Sequence, residues 1–158
     1  MRLCHMLVLF AVLLPCFEGN HGLRADDTNA DVLRIARSIP DGGGYNAAFT
    51  GSGTPVEIQF QGQKILSQAV GGTYCSGFTF TVVMEAAASR GVLNGKTVAE
   101  IKAFQKQWYG VTKGSEEQQC VVAVEALGIG SSVAHDDARP GDFVQFWRKG
   151  SGHSVVLL

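Results

Sequence analysis

Residues 76–90 read SGFTFTVVMEAAASR, and wound as a helix they are apolar on most sides. Phe78, Val82 and Ala86 recur every four positions, Val83 and Ala87 flank them, and Phe80 and Met84 fill a further stripe. A helix of this kind has to be enclosed, so the rest of the chain must cover it from several directions. The threonines and valines of 78–83 would also suit a strand, but Met84 through Ala88 favour helix, and Gly91 stops it. The segment is entered through GGTYC, so a flexible approach becomes a rigid, buried element at Cys75.

The covering elements are readable in outline. Residues 26–40 form a short helix with Asp27 or Thr28 as cap, Val32, Ile35 and Ala36 on one face, and Pro40 as terminator. Residues 41–55, DGGGYNAAFTGSGTP, read as a loop or linker, and 55–62 as a half-buried strand or an extended surface segment. Thr97 with Glu100 is a capping box opening a helix over 96–110, with Val98, Ile101, Phe104 and Trp108 on one face. Ser115 with Gln118 repeats the pattern for 115–128, where Cys120, Val124 and Leu127 point inward and Gly128 is a natural C′ residue.

From residue 138 the period changes to two. Phe143, Gln145 and Trp147 alternate with Val144, Phe146 and Arg148; KGSG reads as a hairpin loop, and HSVVLL as the returning strand. Helices first and a terminal hairpin after them make an α+β arrangement.

At the other end, Arg2 precedes an unbroken apolar run from Met6 to Leu14. That run is shorter than the roughly 20 residues a membrane span needs. It reads as a secretory signal peptide over 1–22, cut between Gly19 and Asp26, which leaves no stable membrane span and places the chain outside the cell or in the periplasm or envelope. An uncleaved anchor, a buried N-terminal helix and a lipoprotein signal at Cys16 are the lesser alternatives. The formal net charge of −1 gives no basic excess for phosphates, so nucleic acid is not expected as a partner. No His, Cys or carboxylate pair has zinc-type spacing, and the glycines at 42–44 lack the Gly-Lys-Ser/Thr of a phosphate loop, so neither metal nor cofactor is expected.

With Cys4 and Cys16 in the leader, Cys75 and Cys120 remain. Cys120 reads as a core residue, with a Cys75–Cys120 disulfide as the alternative. Cys75 stands at a helix N-terminus, where the dipole favours thiolate and the first amides lack helical partners. Those amides, with Ser76 and Gly77 in the first turn, can receive an oxyanion beside the sulfur. A thiolate nucleophile needs a base. His135 lies in a polar loop, where a solvated histidine is ordinary, whereas His153 begins a strand.

Taken together, YCSGFTF and, much later, RPGDFVQFW and GHSVVLL resemble the secreted cysteine peptidases and amidases of the NlpC/P60 and CHAP superfamily. The matching residues are Cys75, Ser76 and Gly77, then Pro140, Gly141 and Asp142, then Gly152 and His153. The resemblance covers residues 70–158 and leaves the helix and glycine-rich segment of 26–69 outside. It implies a papain-like fold, with helices packed on a small antiparallel C-terminal sheet. It implies that Cys75 attacks an amide carbonyl, that His153 moves the proton, and that the substrate is a peptide or N-acyl bond in peptidoglycan. Tyr74 and Trp147 are then candidates for the substrate groove, and Asp142 reads chiefly as a turn residue.

Two departures bear on function. Tyr74 occupies the place of the family's usual aspartate, which alters recognition of a substrate amine. The polar residue that orients the histidine normally follows on the next strand; the expectation is that it comes from elsewhere or that the chain is a truncated product. A catalytically inactive wall- or protein-binding domain of the same fold is the alternative function.

Overall fold

The structure is a computed structural model that describes residues 6–11, 25–112, 118–148 and 151–158. Its organising element is helix α2 (Cys75–Ser89). Phe80, Val82, Val83, Met84, Ala86 and Ala87 are buried along it. Helix α1 (Ala25–Ser38), helix α3 (Val98–Trp108) and strand β6 (Ser151–Val156) all pack against it, which supplies the cover its composition demands.

Helix α3 begins on the expected capping box. The Glu100 amide donates to Thr97 Oγ1 at 3.2 Å, and the Thr97 amide donates to Glu100 Oε2 at 2.7 Å. Its inward face sends Phe104 and Trp108 against Phe80 of α2, and Trp108 meets Phe143 of strand β5 (Phe143–Arg148) edge-on. Each such ring pair adds about 0.5–1.5 kcal/mol to the burial of its area. Helix α4 (Gln119–Leu127) buries Cys120, Val121, Ala123, Val124 and Leu127 and ends at Gly128, whose φ of 71° is the left-handed geometry expected there. It starts at Gln119 rather than Ser115; Ser115 lies outside the described residues, and Gln118 makes no side-chain cap.

A four-stranded antiparallel sheet has the order β4-β1-β5-β6, where β1 is Met6–Ala11 and β4 is Ser131–Val133. Strand β1 pairs on both sides: Leu9 stands opposite Val133 of β4 and Val144 of β5. The apolar run read as the heart of a leader therefore holds the middle of this sheet; Arg2, Cys4, Cys16 and the leader's remaining residues lie outside the described residues. Strand β4 and the following 3₁₀ turn, His135–Asp137, take the place of the expected polar loop. Ser-Ser-Val has no alternating apolar pattern, so its strand state comes from pairing with β1 rather than from its own residues. Strand β6 begins at Ser151, ahead of His153.

A separate hairpin joins β2 (Ile58–Phe60) to β3 (Gln63–Leu66) where one strand was expected. Its corner is Gln61-Gly62, with φ of 50° and 72°. Two consecutive positive φ angles are the primed-turn geometry that matches strand twist, normally advertised by Asn-Gly; glutamine gives no such signal. The described chain is thus an α+β fold of four helices and small antiparallel sheets. Among the described residues no helix is long and apolar enough to cross a membrane.

Candidate functional site

Cys75 is the first residue of α2. The residue before it, Tyr74, is extended and contributes no side-chain cap, so the amides of Cys75, Ser76 and Gly77 stand outside the helical ladder. The Tyr74 ring is committed elsewhere: it is buried, and its hydroxyl donates to the Gly51 carbonyl at 2.8 Å. That bond belongs to a set fastening the glycine-rich segment to the start of α2. The Asn46 amide donates to Thr73 O at 2.8 Å, the Thr73 amide to Gly44 O at 3.1 Å, and the Tyr109 hydroxyl to Ser52 O at 2.7 Å. Gly77 lies directly on the Gly53 backbone, where a Cβ would run into the Gly53 carbonyl. The stretch expected to be a loop or linker has irregular geometry, but it forms a fixed wall beside the cysteine.

One turn into the helix, Thr79 couples three elements. Its hydroxyl donates to the Cys75 carbonyl at 2.9 Å, accepts from the Trp108 indole at 3.1 Å, and lies 2.9 Å from the Ser154 hydroxyl of β6. Ser154 and its cross-strand partner Gln145 are buried. The neighbouring pair, His153 and Phe146, is exposed, as the alternation of a strand requires. His153 therefore rides on the outer strand of the sheet with its ring accessible to solvent.

Cys75 and His153 line one cleft of about 480 Å³. Thr73, Tyr74 and Tyr45 line it beside the cysteine, while Ile39, Phe78, Val156 and Leu158 give it an apolar side, and Arg37 and Asp41 bring charge. Among the described residues no hydrogen bond joins the Cys75 thiol to the His153 ring. Ser76 Oγ lies 3.9 Å from the sulfur. Gly77 serves the backbone contact already described. Trp147 is not on the cleft wall; its ring lies over Gly152 of the paired strand. Asp142 is a turn residue with an added tether, accepting from the Arg139 amide at 2.8 Å and from Asn29 Nδ2 of α1 at 3.1 Å.

Tyr45 is the site residue that sequence reasoning missed. It sits in the glycine-rich segment opposite Thr73, half-exposed, and lines the cleft beside Cys75. Loss of solvent raises its pKa above the ordinary tyrosine value. Repulsion from Cys75 and hydrogen bonding to its side chain add to that, while the Cys75 amide opposes it. Burial likewise raises Tyr74 and Tyr109, with Cys75 contributing to both. All three phenols are thereby held in the protonated form, as donors and not bases; Tyr74 and Tyr109 give theirs to the Gly51 and Ser52 carbonyls. Nothing in the spacing of GGGYNAAF points to Cys75, some thirty positions on; the link is made by the Thr73 bonds and by the Tyr45–Phe49–Tyr74 ring contacts.

The two described cysteines are both free and differ sharply. Cys120 is fully buried in the core, and burial pushes its thiol far above the ordinary value. Cys75 is half-buried and opens on the cleft.

Comparison of this chain with family models, with curated proteins and with solved structures finds no match.

Proposed function

We propose that this protein is an exported cysteine hydrolase of the NlpC/P60 and CHAP type, with a papain-like arrangement, that cleaves an amide bond in peptidoglycan peptides. The observation that carries the reading is the shared cleft: a cysteine at the uncapped start of a buried helix and a strand-borne histidine border the same 480 Å³ space. In the proposed reaction His153 takes the thiol proton and Cys75 Sγ attacks the amide carbonyl, forming a C–S bond while the carbonyl π pair moves to oxygen. The oxyanion accepts from the amides at the start of α2, which lack helical partners, and from the Tyr45 hydroxyl. Collapse of this intermediate breaks the C–N bond, His153 returns the proton to the leaving amine, and a thioester remains. Water, deprotonated by His153, attacks the thioester and releases the acid and the thiol.

The His153 ring is exposed on the side of β6 opposite Ser154 and is not hydrogen-bonded to Cys75, so the proton passes through a water or after β6 shifts on substrate binding, when catalytic hydrogen bonds often tighten. That same observation favours a second reading, a catalytically silent binding domain built on this cleft. Turnover of purified peptidoglycan separates the two. The hydrolase reading expects release of new amino termini by the wild type and none by Cys75→Ala or His153→Ala. Fragment binding without release by the wild type supports the silent domain.

A further inference from the structure

We propose that Arg37 selects a free carboxylate on the substrate of this cleft, an assignment that rests on the cysteine-hydrolase reading of the same site. Arg37 occupies the last turn of α1, next to Ala36 and two residues before Ile39, and all three line the cleft. The neighbouring arginine of that helix, Arg34, is paired with Asp31 at 3.4 Å. Arg37 has no ion pair or hydrogen bond among the described residues, although Asp41 borders the same space. Arg37 is exposed and borders both this cleft and a shallower hollow lined by Ala30, Leu33, Arg34 and Ser38; a long cationic side chain beside apolar surface keeps its stem on that surface and its guanidinium in water. A guanidinium presents paired donors that match the two oxygens of a carboxylate. An arginine without a competing partner can be used by a ligand at once, with no internal ion pair to break.

The ligand class that follows is a short peptide with an aliphatic residue against Ile39, Phe78 and Val156 and a free carboxylate close to the scissile amide. Asp41 sets the sign of a control. As the acidic neighbour on the same rim it opposes the incoming carboxylate, so neutralising it strengthens binding of the acid while neutralising Arg37 weakens it.

The test uses full-length Cys75→Ala protein, calorimetric titration, and N-acetyl-trialanine as either the free acid or the C-terminal amide. The acid is expected to bind about tenfold more tightly than the amide, the low end for a charge-assisted contact at a solvated rim. Arg37→Gln erases the difference, Arg37→Lys retains part of it, and Asp41→Asn widens it. Equal affinities for acid and amide, a preference that survives Arg37→Gln, or no binding of either peptide would overturn the assignment. Peptidoglycan turnover by the wild type against Cys75→Ala tests the hydrolase reading separately. If turnover is absent while the Arg37-dependent preference persists, the hydrolase reading falls and the carboxylate anchor stands.

Discussion

The Ser154 hydroxyl lies 2.9 Å from Thr79 Oγ1, and this contact fastens the strand that carries His153 to the helix that begins at Cys75. Thr79 also bonds the Cys75 carbonyl and the Trp108 indole, so one buried hydroxyl fixes the helix start, the strand and α3 relative to one another. Replacing it by Ala removes three hydrogen bonds from a dry site. Thr79→Ala is expected to lower stability by about 2–3 kcal/mol, while Thr79→Ser, which keeps the hydroxyl, costs less than half of that. Urea unfolding midpoints of the three proteins check this; equal midpoints for Ala and wild type would contradict it.

The environments of Cys75 and Cys120 predict selective thiol chemistry. In native buffer, iodoacetamide is expected to alkylate Cys75 within minutes and to leave Cys120 unmodified until the chain is unfolded in urea. Peptide mapping by mass spectrometry reads out both sites, and equal modification of the two in native buffer would count against the described burial.

Alkaline pH should destabilise the fold through Cys120 and Tyr109. Both have folded-state pKa values raised by burial, Cys120 from an ordinary 9.0 and Tyr109 from an ordinary 10.0. The unfolded chain loses these protons first as pH rises, while the folded chain keeps them. The unfolded state then binds fewer protons, and stability falls with increasing pH. The loss begins as pH passes 9 and steepens beyond 10, whereas below 8 these two groups leave stability flat. Midpoints measured from pH 7.5 to 10.5 test the trend, and in Cys120→Ala, though less stable throughout, the first part of the slope disappears.

Gly77→Ala is expected to be far more damaging than a helix propensity scale implies, since alanine is the better helix former. The added methyl meets the Gly53 carbonyl, so the segment carrying Tyr45 must move away from α2. A loss of about 2 kcal/mol or more, with Tyr74 and Tyr109 fluorescence altered, is the expected result; an unchanged melting temperature would rule out the close approach.

Within the hydrolase reading, Tyr45→Phe removes one donor to the oxyanion. The expected outcome is a kcat roughly tenfold to a hundredfold lower at nearly constant KM, less than for a fully enclosed donor because Tyr45 is half-exposed. A change confined to KM would assign the hydroxyl to substrate binding instead.

The parts of this fold legible in the sequence are those governed by local rules. The all-round apolar character of α2, the Thr97–Glu100 box and the glycine at 128 each act within a few residues, and each appears where expected. The hairpin at 58–66 and strand β4 were not legible. The first turns on two residues of which only Gly62 favours a positive φ, and the second is stabilised by a partner strand more than a hundred positions away. For the site, Cys75 and His153 were singled out by their settings, and they share a cleft. Tyr45 and Arg37 escaped notice because nothing local distinguishes a tyrosine in a glycine-rich stretch or an arginine at a helix end. Their relation to Cys75 arises from how 41–54 and α1 are seated against α2.

The central position of β1 carries a consequence for the maturation of the chain. Met6–Ala11 is gripped by β4 on one flank and β5 on the other. Removal of residues 1–22 as a leader would take with it the strand that stands between β4 and β5. Maturation and folding would then be competitors for the same six residues, and the winner would decide whether β4 and β5 meet each other or stay apart.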